Sequence, residues 1–215
     1  MKKIKKVADI LKFLAKEQGL TKLSYKRLSL VINNAQMSLW GELRKKFERT
    51  QEITDDIRPW IEIASTTTTD SVGKFTLPSD YGHLSGLYYS EDETEVDIVK
   101  EGESSGRINS ELIPLSSSKP MGVFRGSYIQ FYPKQAYSSV MLVYLRYPVD
   151  AAIDYTVSNN RETYVDTTTV DLECTEASLD EIIRRASLEL GIGLNDEAMN
   201  AYFKEGMALE TKQSR

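Results

Sequence analysis

Side chains able to do chemistry are scarce: one histidine, His83, and one cysteine, Cys174, stand among 215 residues. A lone cysteine cannot close an intramolecular disulfide, and one cysteine with one histidine cannot build a Cys/His zinc cage. Gly102-Glu103-Ser104-Ser105-Gly106 matches the G-x-S-x-G pattern that places a serine nucleophile on a tight strand-to-helix turn. The next stretch, Arg107 to Pro114, reads instead as a strand ending in proline, and His83 lies upstream of the serine where the hydrolase order puts it downstream. A glycine-rich hairpin loop is the expectation there, and His83 reads as a loop or strand-edge residue. Glu91, Asp92, Glu93, Glu95 and Asp97 have Val96 where a calcium loop starting at Glu91 needs glycine, so a charged hairpin guarding a strand edge is expected. Neither a dinucleotide-binding nor a phosphate-loop glycine pattern occurs, and nothing singles out two of the 32 Asp/Glu for glycosidic chemistry. The residue types point away from an enzyme, with no metal and no cofactor.

Cationic side chains are the remaining candidates. The net charge of −5 conceals a split: residues 1–50 hold 13 Lys/Arg and 4 Asp/Glu, residues 51–175 hold 9 and 20, and residues 176–215 hold 5 and 8. A basic end joined to an acidic middle fits either a nucleic-acid arm or subunits meeting through opposite charge. Lys2, Lys3, Lys5 and Lys6 with Arg44, Lys45 and Lys46 are the candidate interface residues, against the plain alternative of a solvated basic face on packed helices. A second reading is a nucleic-acid-binding regulator. Ala15, Gly19 and Leu20 followed by Tyr25 and Leu28 approximate helix-turn-helix spacing, with Tyr25, Lys26, Arg27 and Ser29 opening a recognition helix. The second helix is long for that motif, however, and its connection from Gly19 is not tight.

The elements carrying these residues are set by hydrophobic period. Ile4, Val7, Ala8, Leu11, Leu14 and Ala15 recur at helical spacing, and Gly19 stops the helix. Ser24 is placed to cap a second helix carrying Leu28, Val31, Ile32, Ala35, Leu39, Leu43 and Phe47, which spans roughly 39 Å if Gly41 does not kink it before Arg49. From Ile61 to Cys174 the period shortens into strands rich in β-branched and aromatic residues, the last of them Ile108 to Leu112, Val123 to Arg125, Tyr128 to Tyr132, Ser139 to Tyr147 and Thr169 to Cys174. Val140 to Leu145, apolar on both faces, belongs at the centre of a sandwich or barrel. Tyr155 to Thr168 reads as a long loop. Helix then returns over Leu179 to Leu190 and, past Gly191 and Gly193, over Asp196 to Thr211. The expectation is an α+β protein: residues 1–60 and 176–215 as a helical bundle, and residues 61–175 as an inserted antiparallel β-sandwich or barrel. The longest apolar run, Val140 to Leu145, is far short of the roughly 20 residues that cross a bilayer, and no signal peptide is expected.

Several stretches of this β block resemble a known family. Phe75-Thr76-Leu77-Pro78-Ser79-Asp80-Tyr81 resembles the "L-P-x-D-(Y/F)" segment of the head-to-tail connector proteins of tailed bacteriophages. Pro120 to Pro133, through Gly126 and Ile129, is similar to the family's hairpin, and Val140 to Pro148 is similar to its "V-x-L-x-Y-x-x-x-P" strand. Leu172-Glu173, Thr175-Glu176 and Glu181-Ile182-Ile183 through Ala186 resemble the start of its closing helix. The nearest sense is of the adaptor, neck-ring or tail-tube A-like proteins, above all the ring proteins of crAss-like phages. The resemblance implies a helical bundle with a β-rich insertion and no active site. It also implies about twelve copies in a ring between portal and tail, through which genomic DNA passes, assembled in the host cytoplasm and carried in the virion neck. Partners are then the portal protein, other neck or tail rings and the DNA, with no membrane. Acidic β loops facing the channel would offer phosphates few cations and let DNA slide.

Overall fold

A computed structural model of the chain describes residues 2–20, 23–50, 52–67, 69–89, 94–110 and 114–192. The elements in chain order are α1 (Lys3–Glu17), α2 (Tyr25–Thr50), β1 (Ile61–Thr67), β2 (Lys74–Thr76), β3 (Tyr81–Tyr89), β4 (Thr94–Glu95), β5 (Asp97–Val99), α3 (Glu101–Ile108), β6 (Met121–Arg125), β7 (Tyr128–Tyr132), β8 (Val140–Arg146), β9 (Ala152–Ser158), β10 (Arg161–Val170) and α4 (Leu179–Glu189). The fold is α+β. It divides into a unit drawn from both ends of the chain, up to Pro59 and from Pro148 onward, and a continuous unit from Trp60 to Tyr147. The expected helix over Asp196 to Thr211 lies outside the described residues.

In the first unit α1, α2 and α4 pack on one another, and α1 and α2 pack on β9. The apolar stripe of α1 is buried from Ile4 to Ala15, and Gly19 ends the helix at φ +76°. Ser24 caps α2 as its position implies, its Oγ accepting the Arg27 N–H at 3.3 Å. The helix continues through Gly41 for 26 residues. One polar row of α2 acts as a docking rail for the returning chain. Ser29 Oγ accepts the Ile153 N–H at 3.0 Å, Asn33 donates to the Ala151 carbonyl at 2.7 Å and accepts its N–H at 2.8 Å, and Gln36 donates to the Val149 carbonyl at 3.1 Å. The helix advances about 6 Å from Ser29 to Asn33 and about 4.5 Å from Asn33 to Gln36, against nearly 7 Å for each two residues of the returning chain, close enough for each rung to bond.

This rail explains where the unit boundary falls. Residues 148–175 were expected in the β block, but the extended segment they begin with is bonded to α2, and the boundary lies at Tyr147 and Pro148. The expected long loop at Tyr155 to Thr168 is a β-hairpin, β9 antiparallel to β10, with Ser158 opposite Arg161. Its two turn residues, Asn159 and Asn160, hold φ of 50° and 58°, the left-handed pair that a tight hairpin of right-twisted strands requires. The strand expected over Thr169 to Cys174 ends at Val170.

The second unit is a sandwich and not a closed barrel. One sheet runs β1-β8-β3-β4 and the other β2-β7-β6-β5. Phe75, Ile129 and Phe131 from one sheet meet Leu87, Val140, Leu142 and Tyr144 from the other in a shared core. The apolar strand Val140 to Arg146 occupies an interior position, paired on both sides, as its two-faced composition implies. One pairing breaks the antiparallel expectation: β5 and β6 are parallel. Parallel neighbours need a crossover, and α3 begins it. The segment expected as a glycine-rich loop followed by a strand at Ile108 to Leu112 is therefore helical from Glu101 to Ile108. Glu101 and Glu103 in its first turn favour the helix N-terminus electrostatically. Among the described residues no helix is long and apolar enough to cross a membrane.

Candidate interaction surface

The four N-terminal lysines do not form one solvated face. Lys2 Nζ donates to the carbonyls of Asp166 and Thr169, and Lys3 Nζ donates to the Cys174 carbonyl. Lys5 pairs with Asp9 and lies 5.3 Å from the ring centre of Tyr164, while Lys6 reaches Glu176 at 3.7 Å. The backbone completes the clasp. With Lys2 at its N-cap position, α1 has no cap of its own, and the Asp171 carboxylate accepts the N–H groups of Lys3 at 3.1 Å and Ile4 at 2.8 Å. These residues fasten α1 and Lys2 to β10 and to the segment between β10 and α4.

The second candidate group is more open. Arg44 bonds Glu48 one turn along at 2.8 Å and packs over the Trp40 ring. Lys45 and Lys46 are exposed. The structure therefore does not gather the two groups into one patch by any contact.

The α2 start meets the hairpin rather than solvent. Tyr25 is buried against Tyr155 and Tyr164, with Lys12 Nζ 3.3 Å from its ring centre. Its N–H donates to Glu162 at 2.8 Å. Of the four residues expected to open a recognition helix, Tyr25 and Ser29 are engaged by the hairpin arm, and Lys26 and Arg27 are exposed.

Titration of the remaining groups reflects packing. Burial pushes the Cys174 thiol up to about 11, and the Arg184 hydrogen bond, with Arg185 beside it, pulls Glu181 down to about 2. Burial and the hydrogen bond to Asp80 raise Tyr144 to about 12. Ser104, the middle serine of the G-x-S-x-G match, is buried in α3 and donates to the Glu101 carbonyl at 2.7 Å, an ordinary helical back-bond. His83 is half-buried in β3. Among the described residues no group of three or more His, Cys, Asp or Glu could hold a metal.

Two features escaped the sequence reading. One is the hairpin tip, where Val157 and Arg161 are exposed; Asn159-Asn160 between alternating residues was the available signal. The other is a groove of about 370 Å³ between β3 and β5, with the half-buried Leu84 and Ile98 on its floor over the core residues Leu87 and Val96, and Glu95 and Asp97 at its rim. β4 pairs with Tyr88 and Tyr89 and the Val96 N–H donates to the Leu87 carbonyl at 2.8 Å, and ahead of Leu87 this edge of β3 carries no strand among the described residues. No protein-family model matches the chain, and no curated protein matches it.

Proposed function

We propose that the protein is a structural virion component of a tailed-phage neck, about a dozen copies forming a ring that joins portal to tail and continues the DNA channel. The observation that carries this reading is the ordered series of connector-like segments between Phe75 and Ala186, set in a chain whose two ends build one helical unit around an inserted sandwich. On this reading its work is contact between copies and with the portal, without catalysis or cofactor, and ring formation is heterologous: one face of a subunit meets a different face of the next. The test is light scattering and negative-stain imaging of the full chain, alone and mixed with the portal protein of the same genome. Rings, or chains recruited to the portal, are expected. A monomer or dimer that ignores the portal and instead shifts a duplex DNA fragment with sequence preference across a salt series would replace the ring with the regulator reading.

A further inference from the structure

We propose that the β9–β10 hairpin tip of one copy seats in the β3–β5 groove of the next copy, Val157 packing over the half-buried Leu84 and Ile98 and Arg161 meeting Glu95 and Asp97 at the rim. The proposal rests on the ring reading and names the contact that joins one copy to the next.

Knob and socket are each incomplete alone. Val157 is 64% exposed, the most exposed large hydrophobic side chain among the described residues. It sits where the hairpin has passed the start of α2: Ile153 and Tyr155 on the same face of β9 are buried and half-buried, and Val157 is the next in that alternation. Arg161, across from Ser158, points to the opposite face of the ribbon, is exposed, and has no ion pair or hydrogen bond among the described residues. A groove gripping the tip from both sides therefore meets an apolar side chain on one face and a guanidinium on the other.

The groove offers the complementary pair. Its apolar floor is formed by the half-buried Leu84 and Ile98, and its rim is acidic. Glu95 is exposed and without a partner among the described residues, and Asp97 reaches Arg107 only at 3.5 Å with most of its side chain in water. The edge of β3 ahead of Leu87, without a strand among the described residues, is also the kind of edge that adds a strand or ribbon from another chain. Because knob and socket are different surfaces, the contact is heterologous, the kind from which a ring is built.

Disulfide trapping in the full-length protein tests the contact. Ser158→Cys combined with Ser85→Cys, under mild oxidation, is expected to give a ladder of cross-linked multimers, because Cys174 is buried and each copy carries one knob and one socket. Val157→Asp, Arg161→Glu and Glu95→Arg are each expected to weaken association about tenfold. Arg161→Glu combined with Glu95→Arg should restore it, a recovery that misfolding cannot mimic. Rings that form unchanged in every variant, with no ladder, overturn this contact and leave the ring reading standing. Chains that form neither ring nor ladder, even with portal, overturn both.

Discussion

Asn33→Ala tests whether the polar rail of α2 holds the returning chain. The Asn33 amide satisfies both backbone groups of Ala151, donating at 2.7 Å and accepting at 2.8 Å, and Ala151 is fully buried. Truncation leaves a buried N–H and a buried carbonyl without partners. Each such group costs about 1–3 kcal/mol, and water entering the vacated space offsets part of this, so a loss of roughly 2–4 kcal/mol is expected. With a urea slope near 2 kcal/mol/M the midpoint falls by about 1–2 M. Circular dichroism at 222 nm reads the right unit, since of the four α-helices described only α3 lies in the sandwich. Asn33→Asp keeps the acceptor and loses the donor, and should fall between. If Asn33→Ala moves the midpoint no further than the exposed control Lys46→Ala, the rail is incidental and the return of residues 148–153 to the helical unit needs another cause.

The remaining expectations concern other fastenings. Asp171→Ala removes the carboxylate that caps α1 and should cost about 1–2 kcal/mol by urea unfolding, with Asp171→Asn recovering most of it. Glu181, held at about 2 against an ordinary 4.5, binds its proton less readily folded than unfolded; its contribution is present above about pH 4.5 and lost as pH falls toward 2, and Glu181→Gln should flatten that acid limb of stability. Cys174, buried and raised to about 11, should ignore a thiol reagent at pH 8 in the native protein and react at once in urea. Gly73→Ala meets both a φ of +75° and backbone oxygens 3.0 and 3.1 Å from the new Cβ, and should cost about 2 kcal/mol or more in sandwich stability, read by thermal melting.

Elements with a strong local period were legible: α1 and α2 lie where Ile4 to Ala15 and Leu28 to Phe47 place them, and β8 is interior because both its faces are apolar. Features that depended on partners distant in sequence were not. Glycines at 102 and 106 lower helix propensity, and only the parallel pairing of β5 with β6 calls for the crossover in which α3 forms. A lysine run reads alike whether it faces water or carbonyls more than 160 residues away, as Lys2 does. The groove could not be read at all, since it exists only where a strand stops short of its neighbour's length.

The placement of the helix caps sets an order of events on the ribosome. The first N–H groups of α1 and α2 are bound by Asp171 and Glu162, residues synthesised after the last residue of the sandwich. Unit Trp60–Tyr147 is continuous in sequence, whereas the helices ahead of it wait for the chain to return. Nascent chains released shortly after Tyr147 should thus carry a protected sandwich and protease-sensitive N-terminal helices, a state in which about two-fifths of the 215-residue chain is folded before the hairpin that fastens α2 has been made.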